Sequence, residues 1–279
     1  MCHQSTPYTS YLQYCMKVFQ QYCFWLFIIF IPSVVFSAQG NVIGWGDNSF
    51  GKITIPVSLV GQDVISLSAG YEYSMALNSS GLVTAWGDNS AGQTSVPIFP
   101  LGKKVIAISA GDSYALALLS DGTVSAWGDN TMGQRNIPIL LAGKTVKAIS
   151  AGSYYALALL SDGKVVGWGD NNDGQINIPI SLLNKIVIAI SAGSNHSLAL
   201  SSDGVVTAWG DNSVGQTMVP AALAGKFVTA IAAGDWHSLA LLSDGSVIAW
   251  GYNDAGQTNI PASIFGKKLF KFLEDSLTL

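Results

Sequence analysis

The sequence predicts an all-β fold: a six-bladed β-propeller of four-stranded antiparallel blades. Three observations predict it. A repeat of 41 residues runs through the chain, each repeat holds four short apolar runs, and the two chain ends carry complementary half-repeats. Trp45, Trp86, Trp127, Trp168, Trp209 and Trp250 all recur at that one spacing. Each opens the string W-G-D-N, except the last, where Tyr252 replaces the Asp. Further along each unit come a Gly, then Gln93, Gln134, Gln175, Gln216 or Gln257 (Lys52 in the first), then a Pro, from Pro56 to Pro261. Units of about 40–45 residues with four strands each are the signature of a propeller, whereas solenoids of this period are helical.

The unit spanning 105–138 shows why strands are expected. V-I-A-I-S-A-G is a short apolar run, Y-A-L-A-L-L a second, T-V-S-A-W-G a third and R-N-I-P a fourth. Gly, Asp and Asn, the residues that tolerate turn geometry, separate them. In the second run Leu116 and Leu118 point to one face, Ala115 and Ala117 to the other. With both faces apolar, the sheet is expected to be covered on both sides. Large residues on one face and small ones on the other suit stacked blades. Proline closing the fourth run suits an outer edge, where a ladder donor is not required.

Closure follows from the ends. Residues 40–45 read as a third strand with nothing before it, and 268–273 and 276–279 read as a first and second strand with nothing after them. Together they make a shared sixth blade, which removes exposed sheet edges. Residues 1–38 read as a signal peptide, with Met16 as an alternative start, and 39–279 as the propeller. Residues 22–36 are almost continuously apolar, but shorter than the ~20 apolar residues a spanning helix needs. Small residues follow, as at a cleavage site. The expected location is extracytoplasmic, secreted or at the cell surface; the alternative is anchorage by 22–36. Cys2, Cys15 and Cys23 all lie in the leader, so the mature chain is expected to hold no disulfide and no thiolate metal site.

Composition excludes several functions. Only 11% of residues are charged and the net charge is −4, with no basic stripe of the kind nucleic-acid binders carry. No phosphate-binding loop or dinucleotide fingerprint occurs. The run Asp170–Gly174 lacks the alternating ligands and distal Glu of a calcium loop. His196 and His237 have no partner cysteines for zinc, and no acid–base pair can be nominated. The expectation is a non-enzymatic chain with no cofactor and no metal, acting as a monomer.

The string A-I-S-A-G-S-N-H-S-L-A-L-S-S-D-G-V-V-T-A-W-G-D-N-S-V-G-Q, residues 189–216, closely resembles the repeat of the regulator of chromosome condensation family, and the likeness extends over about residues 40–279. The resemblance implies a β-propeller. The best-known activity it implies is guanine-nucleotide exchange on a small GTPase, with chromatin binding; other members are binding scaffolds. Exchange is kept as the alternative. The equal Trp spacing leaves no inserted wedge loop, and Arg135 is the single arginine, both of which argue for the scaffold.

Binding is expected on one face. Turns joining first to second strands, and loops leaving third strands, share an end of the sheet because successive antiparallel strands reverse. These connections vary between units and are rich in aromatics, as binding loops on a uniform scaffold often are. Tyr71, Tyr154 and Trp236 are the expected contacts with an unidentified protein or glycan. Tyr73, Tyr114, Tyr155, His196 and His237 share one repeat position; they are kept as binding candidates, although a slot that accepts Tyr or His also suits a turn-supporting hydrogen bonder. Lys103, Lys144, Lys185 and Lys226, set against Asp121, Asp162, Asp203 and Asp244, should make the opposite face near-neutral and leave the turn face acidic.

Overall fold

The computed structural model describes residues 42–262. Five three-stranded antiparallel sheets follow one another along the chain. The first contains β1 (Val64–Ala69), β2 (Tyr73–Asn78) and β3 (Val83–Gly87). β4 (Val105–Ala110), β5 (Tyr114–Leu119) and β6 (Val124–Gly128) form the second, and β7 (Val146–Ala151), β8 (Tyr155–Leu160) and β9 (Val165–Gly169) the third. The fourth holds β10 (Val187–Ala192), β11 (His196–Ser201) and β12 (Val206–Gly210), the fifth β13 (Val228–Ala233), β14 (His237–Leu242) and β15 (Val247–Gly251). In each the middle strand pairs with both neighbours in chain order. The register repeats faithfully: Tyr73 faces Gly87, Tyr114 faces Gly128, Tyr155 faces Gly169. A bulge near the start of every first strand repeats as well. In the last four sheets Asp-Gly turns link second to third strands. At one of them Gly122 takes φ 80°, which a side chain would resist, while Asp121 Oδ1 accepts the Thr123 amide at 3.1 Å.

The expected fourth strand is a correction. Each sheet has three strands, and the stretch after the third forms turns and, in four units, a short 3-10 segment (Val57–Leu59, Ile139–Leu141, Ile180–Leu182, Ala221–Leu223). The chain still returns along the outer edge, where the Ile176 side chain lies against Gly167. Turn residues on one side and a proline without an N–H on the other leave too few residues for a ladder. Likewise 42–45, expected as a third strand, form none. The leader and the closing strands at 268–279 lie outside the described residues.

The alternation of large and small side chains does what it predicts. Tyr73, Met75 and Leu77 of the first sheet pack on Ala115, Ala117 and Leu119 of the second. Leu116 and Leu118 pack in turn on Ala156 and Ala158, and Leu157 and Leu159 on Ala199. The first strands of consecutive sheets adjoin along an inner edge. Polar groups lock the stack. Trp127 Nε1 donates to the Gln93 carbonyl of the preceding unit at 2.9 Å, and Trp168 to that of Gln134 at 2.8 Å. Tyr73, Tyr114 and Tyr155 donate their hydroxyls to the carbonyls of Tyr114, Tyr155 and His196, each one unit on.

Close approach at the inner edge gives a direct test. A Cβ on Gly152 would meet the Tyr155 ring and, at 2.6 Å, the Gly193 carbonyl oxygen. Gly152→Ala is expected to lower stability by about 1–3 kcal/mol or more, as overpacking does. Urea unfolding checks this; an unchanged midpoint would show that the inner edges are not so tightly apposed.

Candidate functional site

The turns between first and second strands and the loops after third strands lie at one end of every sheet. Backbone bonds tie them together: the amides of Asp88, Asp129, Asp170, Asp211 and Tyr252 donate to the carbonyls of Glu72, Ser113, Tyr154, Asn195 and Trp236. Around the inner rim the turn residues are chained from unit to unit. Tyr71 donates to Asp112, Asp112 to Ser153, Ser153 to Ser194 and Ser194 to Asp235, amide to carbonyl, at 3.2–3.4 Å.

The outer loops are built by the W-G-D-N string. In the loop after β6 Asp129 Oδ1 accepts the Thr131 amide and Asn130 Oδ1 the Arg135 amide, so both side chains stand in for backbone in a tight turn. Gln134 completes it: its Nε2 donates to Asp129 Oδ2 at 2.9 Å and its Oε1 accepts the Met132 amide. Since its carbonyl also receives Trp168, this fully buried Gln joins the loop to the next sheet. The sequence alone assigns the Gln no role; the signal that could have done so is its fixed position five residues after the turn Asp. Where Lys52 replaces it, an ion pair with Asp47 at 2.7 Å takes over, and Lys52 also pairs with Glu72.

The eight residues expected as binding candidates divide sharply. Tyr73, Tyr114, Tyr155 and His196 are buried between sheets, and His237, in the last described sheet, is buried as well. Tyr71, Tyr154 and Trp236 lie at the surface, with exposures of 53%, 39% and 46%. The Trp236 and Tyr252 rings meet edge to face, centroids 5.6 Å apart and planes at 81°. Phe50, Met132 and Val214 on the outer loops add exposed apolar surface.

Charge divides with the ends. The turn end holds Glu72, Asp112 and Asp235 from the inner turns and Asp47, Asp88, Asp129, Asp170, Asp173, Asp211 and Asp254 from the outer loops. Among the described residues only Lys52 and Arg135 oppose them there. The other end pairs Lys103 with Asp121 and Lys185 with Asp203, the latter at 2.9 Å, so the expected asymmetry is present. Burial pushes the Asp235 carboxyl up to about 7, against a hydrogen bond from Ser194 and with a further push from Asp112. Asp112 is raised by burial too, opposed by a bond from Ser153. The Tyr154 hydroxyl is raised by burial and then by the charges of Asp112 and Asp129, which sets it between the inner rim and the outer loops.

His196 occupies the slot that Tyr fills elsewhere. Ser238 Oγ gives its proton to the Gln216 carbonyl at 2.8 Å, so His196 Nε2, 2.9 Å from the same oxygen, is the donor to it. Nδ1 is then a bare acceptor, buried and with no hydrogen-bond partner among the described residues. Burial depresses this imidazole to about 4, helped by the nearby His237 and opposed by Asp211. The folded pKa lies below the ordinary 6.5, so His196 costs nothing above pH 6.5 and removes stability as pH falls from 6.5 to about 4, by about 3 kcal/mol in all. His196→Tyr, which should reach the His237 carbonyl as Tyr155 reaches that of His196, is expected to stabilise the fold by about 1–2 kcal/mol at neutral pH and by more at pH 5. Denaturant midpoints at the two pH values test it; a variant less stable than the parent would contradict the equivalence of the slots.

Among the described residues no group of three or more His, Cys, Asp or Glu is placed to hold a metal ion. No helix there is long and apolar enough to cross a membrane.

Comparison with known proteins fits this geometry. No curated protein matches the chain. Among solved structures, human WBSCR16 is 21% identical over 75% of this chain, with a TM-score of 0.63. Prp20p from Saccharomyces cerevisiae is 24% identical over 75%, with a TM-score of 0.59. The ectodomain of the receptor kinase CR4 from Physcomitrella patens is 26% identical over 72%, with a TM-score of 0.57. This chain spans 67%, 61% and 55% of those three chains respectively. The model of the regulator of chromosome condensation (RCC1) repeat matches residues 64–93, 105–134, 146–175, 187–216 and 228–257. Each match runs from the first strand of a sheet to the Gln after its third, so the repeating sheet and its locking turn are the family unit, and the chain belongs to the RCC1 repeat family.

Proposed function

We propose that the chain is a non-enzymatic propeller scaffold, secreted or at a cell surface, that binds a protein (or glycan) through the end carrying the inner turns and outer loops. The observation that carries this reading is the exposure of Tyr71, Tyr154 and Trp236 on that one end, above a scaffold whose repeated Tyr/His and Trp slots are buried from Tyr73 to Trp250. Aromatic side chains are prominent among binding hot spots. The fold belongs to this proposal as well: six blades, the sixth assembled from both ends of the chain.

Nucleotide exchange is the weaker reading. Prp20p binds Gsp1p and histones, but at 24% identity the likeness carries the fold alone. The described units keep one length, leaving no extra loop to act on a nucleotide site.

Immobilised chain should retain a partner that the double variant Trp236→Ala/Tyr154→Ala no longer retains, while Lys103→Ala/Lys185→Ala at the opposite end keeps it. Equal retention by the aromatic variant removes this end from consideration. Nucleotide release from a panel of small GTPases, if accelerated by the chain, would restore the alternative.

A further inference from the structure

Tyr252 departs from the repeat, which has an Asp at that place in every other unit, and Trp236 stands at a variable turn position occupied elsewhere by Glu72, Ser113, Tyr154 and Asn195. The two rings meet in space as the edge-to-face pair described above, with Trp236 46% exposed. Two rings near a right angle make two walls of an open corner. Asp235, the residue preceding Trp236, stands beside it on the inner rim, where its Oδ1 accepts the Ser194 hydroxyl at 3.0 Å.

We propose that this corner receives a lysine or arginine side chain from a basic protein segment, the rings supplying π faces and Asp235 the counter-charge. The inference rests on the binding reading above and narrows its partner to a cationic polypeptide. A cation over an aromatic face is attracted by the ring quadrupole, which a neutral side chain is not. The surrounding end is acidic across all five units, so a segment with several positive charges is drawn to it and an acidic one repelled. Two walls alone hold a small free cation weakly; the extended charge around them selects a chain that carries more than one. The partly buried carboxylate points the same way, because a bound cation relieves the penalty on its charge.

The test uses the full chain and a labelled octapeptide of alternating Arg and Gly, with a control in which citrulline, a neutral isostere, replaces each Arg. Anisotropy titrations should show the Arg peptide bound at least about tenfold more tightly than the citrulline peptide, with an affinity that falls as salt rises. Tyr252→Asp is the decisive variant. It restores the W-G-D-N turn that the other units fold, and it adds negative charge while removing a ring. An aromatic corner predicts affinity weakened by about fivefold; acidity alone predicts equal or tighter binding, which would overturn the inference. Asp235→Asn should weaken binding to a similar degree, and an unchanged affinity would also count against it. Equal binding of both peptides, or of neither, overturns the cation assignment. If the aromatic double variant still abolishes retention of a partner in that case, the wider reading of this end survives and only the cation assignment falls.

Discussion

Trp127→Ala is expected to cost about 3–5 kcal/mol, the usual range for emptying a buried indole site. Three losses combine. The ring is buried within the cluster that joins the first two sheets, so its removal leaves a cavity between units that cannot slide together, because the Tyr73 hydroxyl bond and the inner-rim amide bonds fix their separation. The Nε1 bond to the Gln93 carbonyl is lost as well, and that carbonyl is left without its donor in the interior. Phe99 also loses its edge-to-face neighbour, 6.2 Å from the Trp127 ring. The loss is measured by urea unfolding. A cost below about 1 kcal/mol would mean that the repeated Trp is not the fastener between units. Since neighbouring repeats stabilise one another through such interfaces, the transition should also broaden as cooperativity between the first sheets and the rest weakens.

Asp235→Asn is expected to act in the opposite direction, and in a way set by pH. The folded pKa of Asp235, about 7, lies above the 3.8 of an unperturbed carboxyl. The folded state therefore holds the proton more tightly, and the contribution of this group is fully present below pH 3.8 and lost as pH rises through 7. At pH 8 the difference amounts to about 3–4 kcal/mol. Asn keeps an acceptor for the Ser194 hydroxyl without the charge, so the variant should be more stable than the parent by about 2–4 kcal/mol at pH 8 and by little near pH 4. His196 has the reverse slope over nearly the same window. The two cancel in the parent, whose stability from these groups should be nearly flat between about pH 4 and 7. Asp235→Asn should uncover the histidine slope, with stability rising with pH; His196→Tyr should uncover the aspartate slope, with stability falling. Denaturant midpoints across pH 4–8 for the parent and both variants test the scheme, and parallel curves for all three would refute it. A carboxylate that lowers stability at physiological pH is an unusual thing to keep in a fold, and such groups concentrate at functional sites. That gives the Asp235 rim its interest as part of a binding surface.

Much of the architecture is legible in the sequence. Strand period, turn residues and repeat length are local properties, and the runs at 105–110, 114–119 and 124–128 form strands to within a residue or so of where the pattern puts them. The facing of Leu116 against Ala156 and Ala158 follows from alternation once the sheets stack. The fourth strand does not form because an apolar residue before a proline only resembles an edge strand. Whether a ladder forms there depends on how many residues remain once the W-G-D-N turn has closed, which only the folded loop reveals.

The site is legible only in outline. Sequence by itself determined that one end of the stack gathers variable, aromatic and acidic connections, because strand reversal fixes which turns share an end and the 41-residue repeat multiplies them. It set Tyr154 apart as an expected contact and Tyr155 in the shared Tyr/His slot, but it left both as binding candidates. The two are adjacent and of one residue type, yet Tyr155 is fully buried while Tyr154 is 39% exposed. Tertiary structure decided that, along with the meeting of Trp236 and Tyr252 and the charge penalty on Asp235. The physical reason is common to all three: burial and ionisation at a position are set by what the neighbouring sheet places across from it, a contact between units that no window along a single strand contains.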